Sequence, residues 1–217
     1  MNFLSHYFRI KDTNPYYKIG AAIPDIYPKF SFYFNKYLAK ENIEEETNQT
    51  FQCISKGILK HYDDDVIFHQ REEFKTFLHE MIVFMQNHPY LKDIQRKNFL
   101  AHIFYEIWLD HLIVLNYPGI EKDFYNDLSL IDKSIIESFV EKKINDKVAN
   151  QLFLKQFSSF TKHEYMRFYS DKEILIKALN QVTGKISKWE KNQNTTNAFL
   201  EFMEQINNKY TLSSIEF

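Results

Sequence analysis

Phe99-Leu-Ala-His-Ile-Phe-Tyr-Glu-Ile-Trp-Leu-Asp-His-Leu-Ile-Val-Leu115 places apolar side chains on almost every side of a helix. A helix of that kind is buried all round. It is expected to run from about Asp93 to Leu115 and to end at Asn116-Tyr-Pro-Gly119, a strong stop signal. Yet His102, Glu106 and Asp110 recur at every fourth position, which sets them along one stripe with ~40° of drift per step. No Lys or Arg occurs between Asn98 and Glu121, so these carboxylates have no cation nearby in sequence. Burying an unpaired carboxylate costs several kcal/mol even after relaxation, and a bound cation is one of few remedies.

The same arrangement precedes it in Gly57-Ile-Leu-Lys-His-Tyr-Asp-Asp-Asp-Val-Ile-Phe-His69, where His61, Asp65 and His69 are again spaced by four. Asp63 and Asp64 fall off that stripe and are expected to face water. An imidazole and a carboxylate at i and i+4 converge above the helix, and this donor set suits a divalent metal such as Zn, Mn or Fe. A lone pair of this type is more often a surface or core hydrogen bond; two triples on apolar helices favour a metal. His79, His88 and His163 lie off the stripes and are expected to be solvated.

Around these segments the chain reads as helical throughout. Its 217 residues include only 4 Gly and 5 Pro, too few for the turns of a sandwich, barrel or doubly wound sheet. A 17% aromatic content excludes a disordered chain. Asn14-Pro15 opens a short helix through Ala22, after which Pro24 and Pro28 break the chain; a long helical stretch from Thr47 to Asn87 is interrupted near His69-Gln70. Residues 121 to 169 give at least two more helices, with a capping box at Thr161-Lys-His-Glu164 for the last. Ser170-Asp171 caps a helix whose apolar residues are Ile174, Leu175, Ala178, Leu179, Val182 and Ile186, and a final helix repeats the pattern with Phe199, Leu200, Met203, Ile206 and Tyr210. The expected architecture is an irregular all-α helical bundle of roughly seven to nine helices, in a single domain spanning 1–217.

Charge is nearly balanced, with 27 basic against 29 acidic residues, so no global field points to nucleic acid. Cys53 is the single cysteine, which excludes an internal disulfide and a Cys-based metal cluster. The N-terminus from Met1 to Arg9 lacks the pattern of a signal peptide. No stretch reaches the ~18 apolar residues of a membrane span. These features predict a cytoplasmic protein. A Glu-x-x-His di-iron motif, a phosphate-binding glycine loop and a Gly-x-Ser-x-Gly elbow are all missing, which leaves an acyl-enzyme mechanism without support.

With these motifs placed, the chain resembles the acyl carrier protein phosphodiesterase family, an all-α metal-dependent group allied to the HD-type phosphohydrolases. The resemblance runs through Met1-Asn-Phe-Leu-Ser-His6, Ile19-Gly-Ala-Ala-Ile-Pro-Asp25, Gly57 to Asp65, Glu106-Ile-Trp-Leu-Asp110-His111 and Tyr169-Ser-Asp171. Departures from that family's pattern occur at Tyr62, His69 and Glu106. Gly-x-x-x-Pro-Asp25, His61-x-x-x-Asp65, His69 and His102-x-x-x-Glu106 are also similar to the ligand pattern of zinc-dependent phospholipase C.

Both resemblances imply metal-assisted hydrolysis of a phosphodiester at a multinuclear site, with phosphopantetheine on an acyl carrier protein as the narrower substrate. They imply Asp25, His61, Asp65, His69, His102 and Glu106 as ligands, Asp65 as the favoured bridge, and His6 and Asp110 as ligands or orienting partners. His111 is a general acid or a packed core histidine, and Arg71 is the arginine nearest in sequence to the motif for gripping a phosphate. Two other classes remain open: an inactive relative binding an acidic partner through lysines such as Lys142 and Lys143, and a structural helical protein whose His/Asp pairs satisfy one another.

Overall fold

The computed structural model describes residues 2–211, and of Lys185 only the backbone; Met1, the first residue of the opening motif, lies outside the described residues. The chain is all-α, with twelve α-helices and no strand among the described residues. That exceeds the seven to nine expected. The excess has a local cause: short polar side chains restart the helix at several of the breaks. Asn35, Asp132 and Asp146 each accept a hydrogen bond from a backbone N–H in the first turn that follows. Residues 121 to 169 accordingly hold α8 (Ile120–Ser129), α9 (Lys133–Lys143) and α10 (Lys147–His163). Thr161 to His163 form the last turn of α10 rather than a capping box, because Glu164 takes a positive φ of 45° and ends the helix.

The chain divides into two compact units. The first comprises Met1–Val66 and Gly119–Met166. It contains α1 (Phe3–Phe8), α2 (Pro15–Ile26), α3 (Phe30–Tyr33), α4 (Lys36–Glu45), most of α5 (Gln49–Gln70), and α8 to α10. Leu4, Ile19, Ile23, Phe30, Phe139 and Phe153 fill its core. Pro24 does not break α2, which continues to Ile26. Only the last turn lies beyond the proline, so little helix remains to be kinked.

A glycine pair sets the approach of α2 to α5. A Cβ on Gly20 would overlap the Ile54 carbonyl, and one on Gly57 would overlap that of Tyr17. Without side chains at this crossing the two backbones meet directly. That brings the Ala21 carbonyl to 3.0 Å from the ring of His61.

The second unit comprises Ile67–Pro118 and Arg167–Phe217. It holds α6 (Glu72–Asn87), α7 (Lys97–Asn116), α11 (Lys172–Ser187) and α12 (Gln193–Lys209), with a 3₁₀ turn at Tyr165–Phe168 bridging the division in sequence. The break between α5 and α6 falls at Arg71, next to the expected position. On α11 the buried residues are Leu175, Ile176, Leu179, Thr183 and Ser187, while Val182 and Ile186 are exposed. The apolar face is therefore turned from the expected one.

α7 is the centre of this unit. It begins at Lys97 rather than Asp93, because Arg96 adopts a left-handed φ of 50°. It stops where expected, and Gly119 provides the left-handed turn with φ 99°. Every residue from Ile107 to Val114 is buried, and Trp108 stacks on Phe77 of α6 with centroids 5.2 Å apart. Each large apolar side chain so buried contributes ~1.5–3 kcal/mol. In its middle turns, only His102, Ile103 and Glu106 are partly open.

Candidate metal centres

Two groups of three potential ligands stand out, one in each unit. In the first unit they are His6 from α1 and His61 and Asp65 from α5, whose ligand atoms all lie within 4.8 Å of one another. Asp65 bridges the imidazoles: its carboxylate oxygens lie 3.4 Å from His6 Nε2 and 3.3 Å from His61 Nε2. The two rings stack with centroids 4.2 Å apart. Asp25, in the last turn of α2, adds an oxygen 3.9 Å from His6 Nε2.

Protonation follows from the surroundings. Burial pushes the His61 pKa down to about 4, so the ring is neutral at pH 7. Its Nδ1–H donates to the Ala21 carbonyl, which leaves the Nε2 lone pair directed toward Asp65. A carbonyl that fixes the tautomer in this way is the usual support of a metal-bound histidine. Burial also works against charge on His6 and Asp65. For His6 the neighbouring Asp64 and Asp65 outweigh it and raise the pKa, and His6 in turn holds Asp65 well below the usual carboxylate range against the pull of burial.

Asp64 is the residue whose place the sequence reading missed. It is buried rather than solvated, it pairs with Lys60, and an oxygen lies 3.4 Å from Arg9 and another 3.8 Å from His6 Nδ1. His6 of α1 and Arg9, the residue that caps its C-terminus, cover this face of α5, and only the fold brings them there. Asp63 behaves as expected: it is partly exposed and pairs with Lys36 at 2.5 Å.

In the second unit the group is His69, from the end of α5, with His102 and Glu106 from α7. His102 Nε2 lies 2.9 Å from Glu106 Oε1, and His69 Nε2 lies 3.6 Å from the same oxygen. Phe74 packs against both rings at centroid distances of 5.1 and 5.2 Å. Burial opposes charge on Glu106, but His102 and His69 together hold it below the usual carboxylate range.

Asp110 and His111 belong to neither group. Asp110 is fully buried one turn beyond Glu106. His111 is also fully buried; burial lowers its pKa, and its Nδ1–H donates to the Tyr169 carbonyl at 2.5 Å. Arg71 is the N-cap of α6, and its buried Nε has no hydrogen-bond partner among the described residues. His79 and His163 are exposed as expected, while His88 is half-buried, stacked on Phe84.

These donors fit a divalent metal by an internal criterion. His6 Nδ1 and Nε2 and His69 Nε2 are buried without a hydrogen-bond partner. Buried polar atoms are nearly always satisfied, so nitrogens left open beside carboxylates point to a ligand that completes them. Two neutral-capable imidazoles and a carboxylate form a nitrogen- and oxygen-rich set, which suits zinc. Lys142 and Lys143, considered above for an acidic partner, instead clamp the buried Glu46, with Lys142 Nζ 2.7 Å from Glu46 Oε2.

A family model described as zinc dependent phospholipase C matches residues 1–214, which takes in both groups. Of the two resemblances drawn from the motifs, the match falls on the second. No curated protein and no solved structure matches the chain.

Proposed function

We propose a substrate and a site from one premise: the chain belongs to the zinc dependent phospholipase C family and is a metal-dependent phosphodiesterase. The substrate is the headgroup phosphodiester of a phospholipid. Water adds across the P–O bond on the glycerol side, giving a diacylglycerol and a phosphorylated headgroup, with a proton delivered to the departing glycerol oxygen. His6, His61, Asp65 and Asp25 hold zinc in the first unit, and His69, His102 and Glu106 hold it in the second. When bound, zinc supplies Lewis acidity that activates water and neutralises phosphoryl oxygens.

The chain's own residues do the positioning. His61 keeps its proton on Nδ1, on the Ala21 carbonyl, so that Nε2 stays a donor atom. Asp65 stays ionised between two imidazoles. Asp64 pairs with both Arg9 and Lys60 beside Asp65. His111 is read as a packed core histidine rather than a general acid, because its one N–H on the neutral ring is committed to Tyr169.

The observation that carries this reading is the pairing of a whole-length family match with open buried imidazole nitrogens at both groups. The test is hydrolysis of phosphatidylcholine by metal-loaded and chelated protein, followed by mass spectrometry. Diacylglycerol release that needs metal supports it. Release of phosphopantetheine from an acyl carrier protein with phosphatidylcholine left intact would overturn the lipid substrate and favour the carrier reading.

A further inference from the structure

We propose that the segment running from α3 through the turn into the first residues of α4 is an interfacial anchor that seats the first unit on a phospholipid bilayer; this rests on the lipid reading above. Phe32 is 83% exposed and Tyr37 82%, the highest values among the exposed large hydrophobic residues described. Leu38 is exposed beside them. Scattered single apolar residues on a surface are ordinary, but here three fall within residues 32–38. Exposed aromatic rings and a leucine at the end of α3 and the start of α4 suit the boundary between headgroups and acyl chains.

The turn is rigid enough to carry such a load. Phe30, Phe34 and Ala39 are buried and plug it into the core, and the Asn35 side chain caps α4 by accepting from the backbone N–H groups of Tyr37 and Leu38 at 3.0 and 3.2 Å. Phe32 and Tyr37 are left outward. The turn is also tied to the helix that carries the first group of ligands. The Tyr62 hydroxyl donates to the Phe34 carbonyl at 2.9 Å, and Lys36 pairs with Asp63. Tyr62 and Asp63 lie between His61 and Asp65 on α5, so the segment is held by the same helix turns that carry this unit's ligands.

Charge agrees with a lipid surface. From Pro28 to Lys40 the chain has Lys29, Lys36 and Lys40 and no acid. Lys29 and Lys40 are exposed and have no ion-pair partner among the described residues. Glu41, Glu44 and Glu45 follow on the rest of α4, so aromatic insertion rather than anionic attraction dominates. Zwitterionic vesicles are therefore bound, with a modest gain from anionic lipid.

The test is co-sedimentation of the full-length chain with vesicles of a phosphonate analogue of phosphatidylcholine, which cannot be cleaved, with and without phosphatidylserine. F32S/Y37S is expected to lower vesicle partitioning by about tenfold or more, with the melting temperature and turnover of soluble bis(p-nitrophenyl) phosphate unchanged. Phe32→Trp retains binding and shows a blue-shifted emission on vesicles. Partitioning of F32S/Y37S within about twofold of wild type overturns the proposal, on the same expectation of aromatic burial. So does a concentration-dependent dimer that the double variant abolishes while vesicles are ignored. Failure of the lipid reading is distinguishable once the same variants are also assayed on cleavable phosphatidylcholine: it leaves analogue binding dependent on Phe32 with no diacylglycerol formed from phosphatidylcholine, whereas failure of the anchor leaves diacylglycerol formed with analogue binding indifferent to Phe32.

Discussion

Asp63, Asp64 and Asp65 are adjacent in sequence and should answer three different ways to the same substitution by asparagine. Asp65 lies within 3.4 Å of His6 Nε2 and 3.3 Å of His61 Nε2, so Asp65→Asn removes a ligand of the first group. A metal that binds only the folded chain stabilises it by ~2.7 kcal/mol at a hundredfold excess over Kd. For a chain of this length that corresponds to roughly 5–11 °C of melting temperature. Asp65→Asn should abolish the share of that rise owed to the first group. Asp64 is only 3% exposed and pairs with both Arg9 and Lys60. Asp64→Asn should therefore lower stability by about 1–3 kcal/mol in both apo and loaded protein, because it strands cations that are themselves only partly hydrated. Asp63→Asn loses one exposed pair with Lys36, about 0.5 kcal/mol or less. Melting curves for all three variants, with zinc and with chelator, give the increments directly. A full metal-dependent rise in Asp65→Asn, or equal behaviour of Asp63→Asn and Asp65→Asn, would refute the assignment.

Glu106→Gln should cut the zinc content of the second group and its melting increment, read by elemental analysis of untagged protein, while His163→Ala leaves both intact; equal zinc in Glu106→Gln and wild type would count against that group. Gly57→Ala should separate α2 from α5, break the His61–Ala21 bond and cost about 1–3 kcal/mol, the scale of overpacking; a wild-type melting curve would contradict the close crossing. Acid should weaken the clamp at Glu46, whose pKa is lowered to about 2 by the Lys142 hydrogen bond against the pull of burial. A depressed carboxylate pKa stabilises above the unfolded value and loses that contribution as pH falls from about 4.5 toward 2. After allowing for the half-exposed Lys142, the contribution is about 1–2 kcal/mol. Glu46→Gln should flatten this limb of the pH–stability profile; an unchanged limb would contradict it.

Much of the candidate site was legible in the chain because helical spacing is a local property. Once 99–115 and 57–69 are helices, His102 and Glu106 must share a face, and so must His61 and Asp65, since i and i+4 are neighbours on any α-helix. The burial of α7 from Ile107 to Val114 followed from its composition in the same way. The helix count was less legible, since it turned on caps such as Asn35 and Asp146 whose effect depends on the packing around each turn.

What spacing could not decide is which other segments meet those faces. Asp110 continues the stripe of Glu106 yet joins neither group, because the drift of each step accumulates and α7 is enclosed there. Asp64 read as solvent-facing because nothing in α5 says that α1 lies over it with His6 and Arg9. The tautomer of His61 is set by a carbonyl 40 residues away, reached only because Gly20 and Gly57 let two backbones meet. Sequence by itself determined the helices, their faces and the donor types, which depend on neighbours a few residues apart. The tertiary structure decided which donors converge, because that depends on approaches between segments far apart in the chain, to which local periodicity is blind.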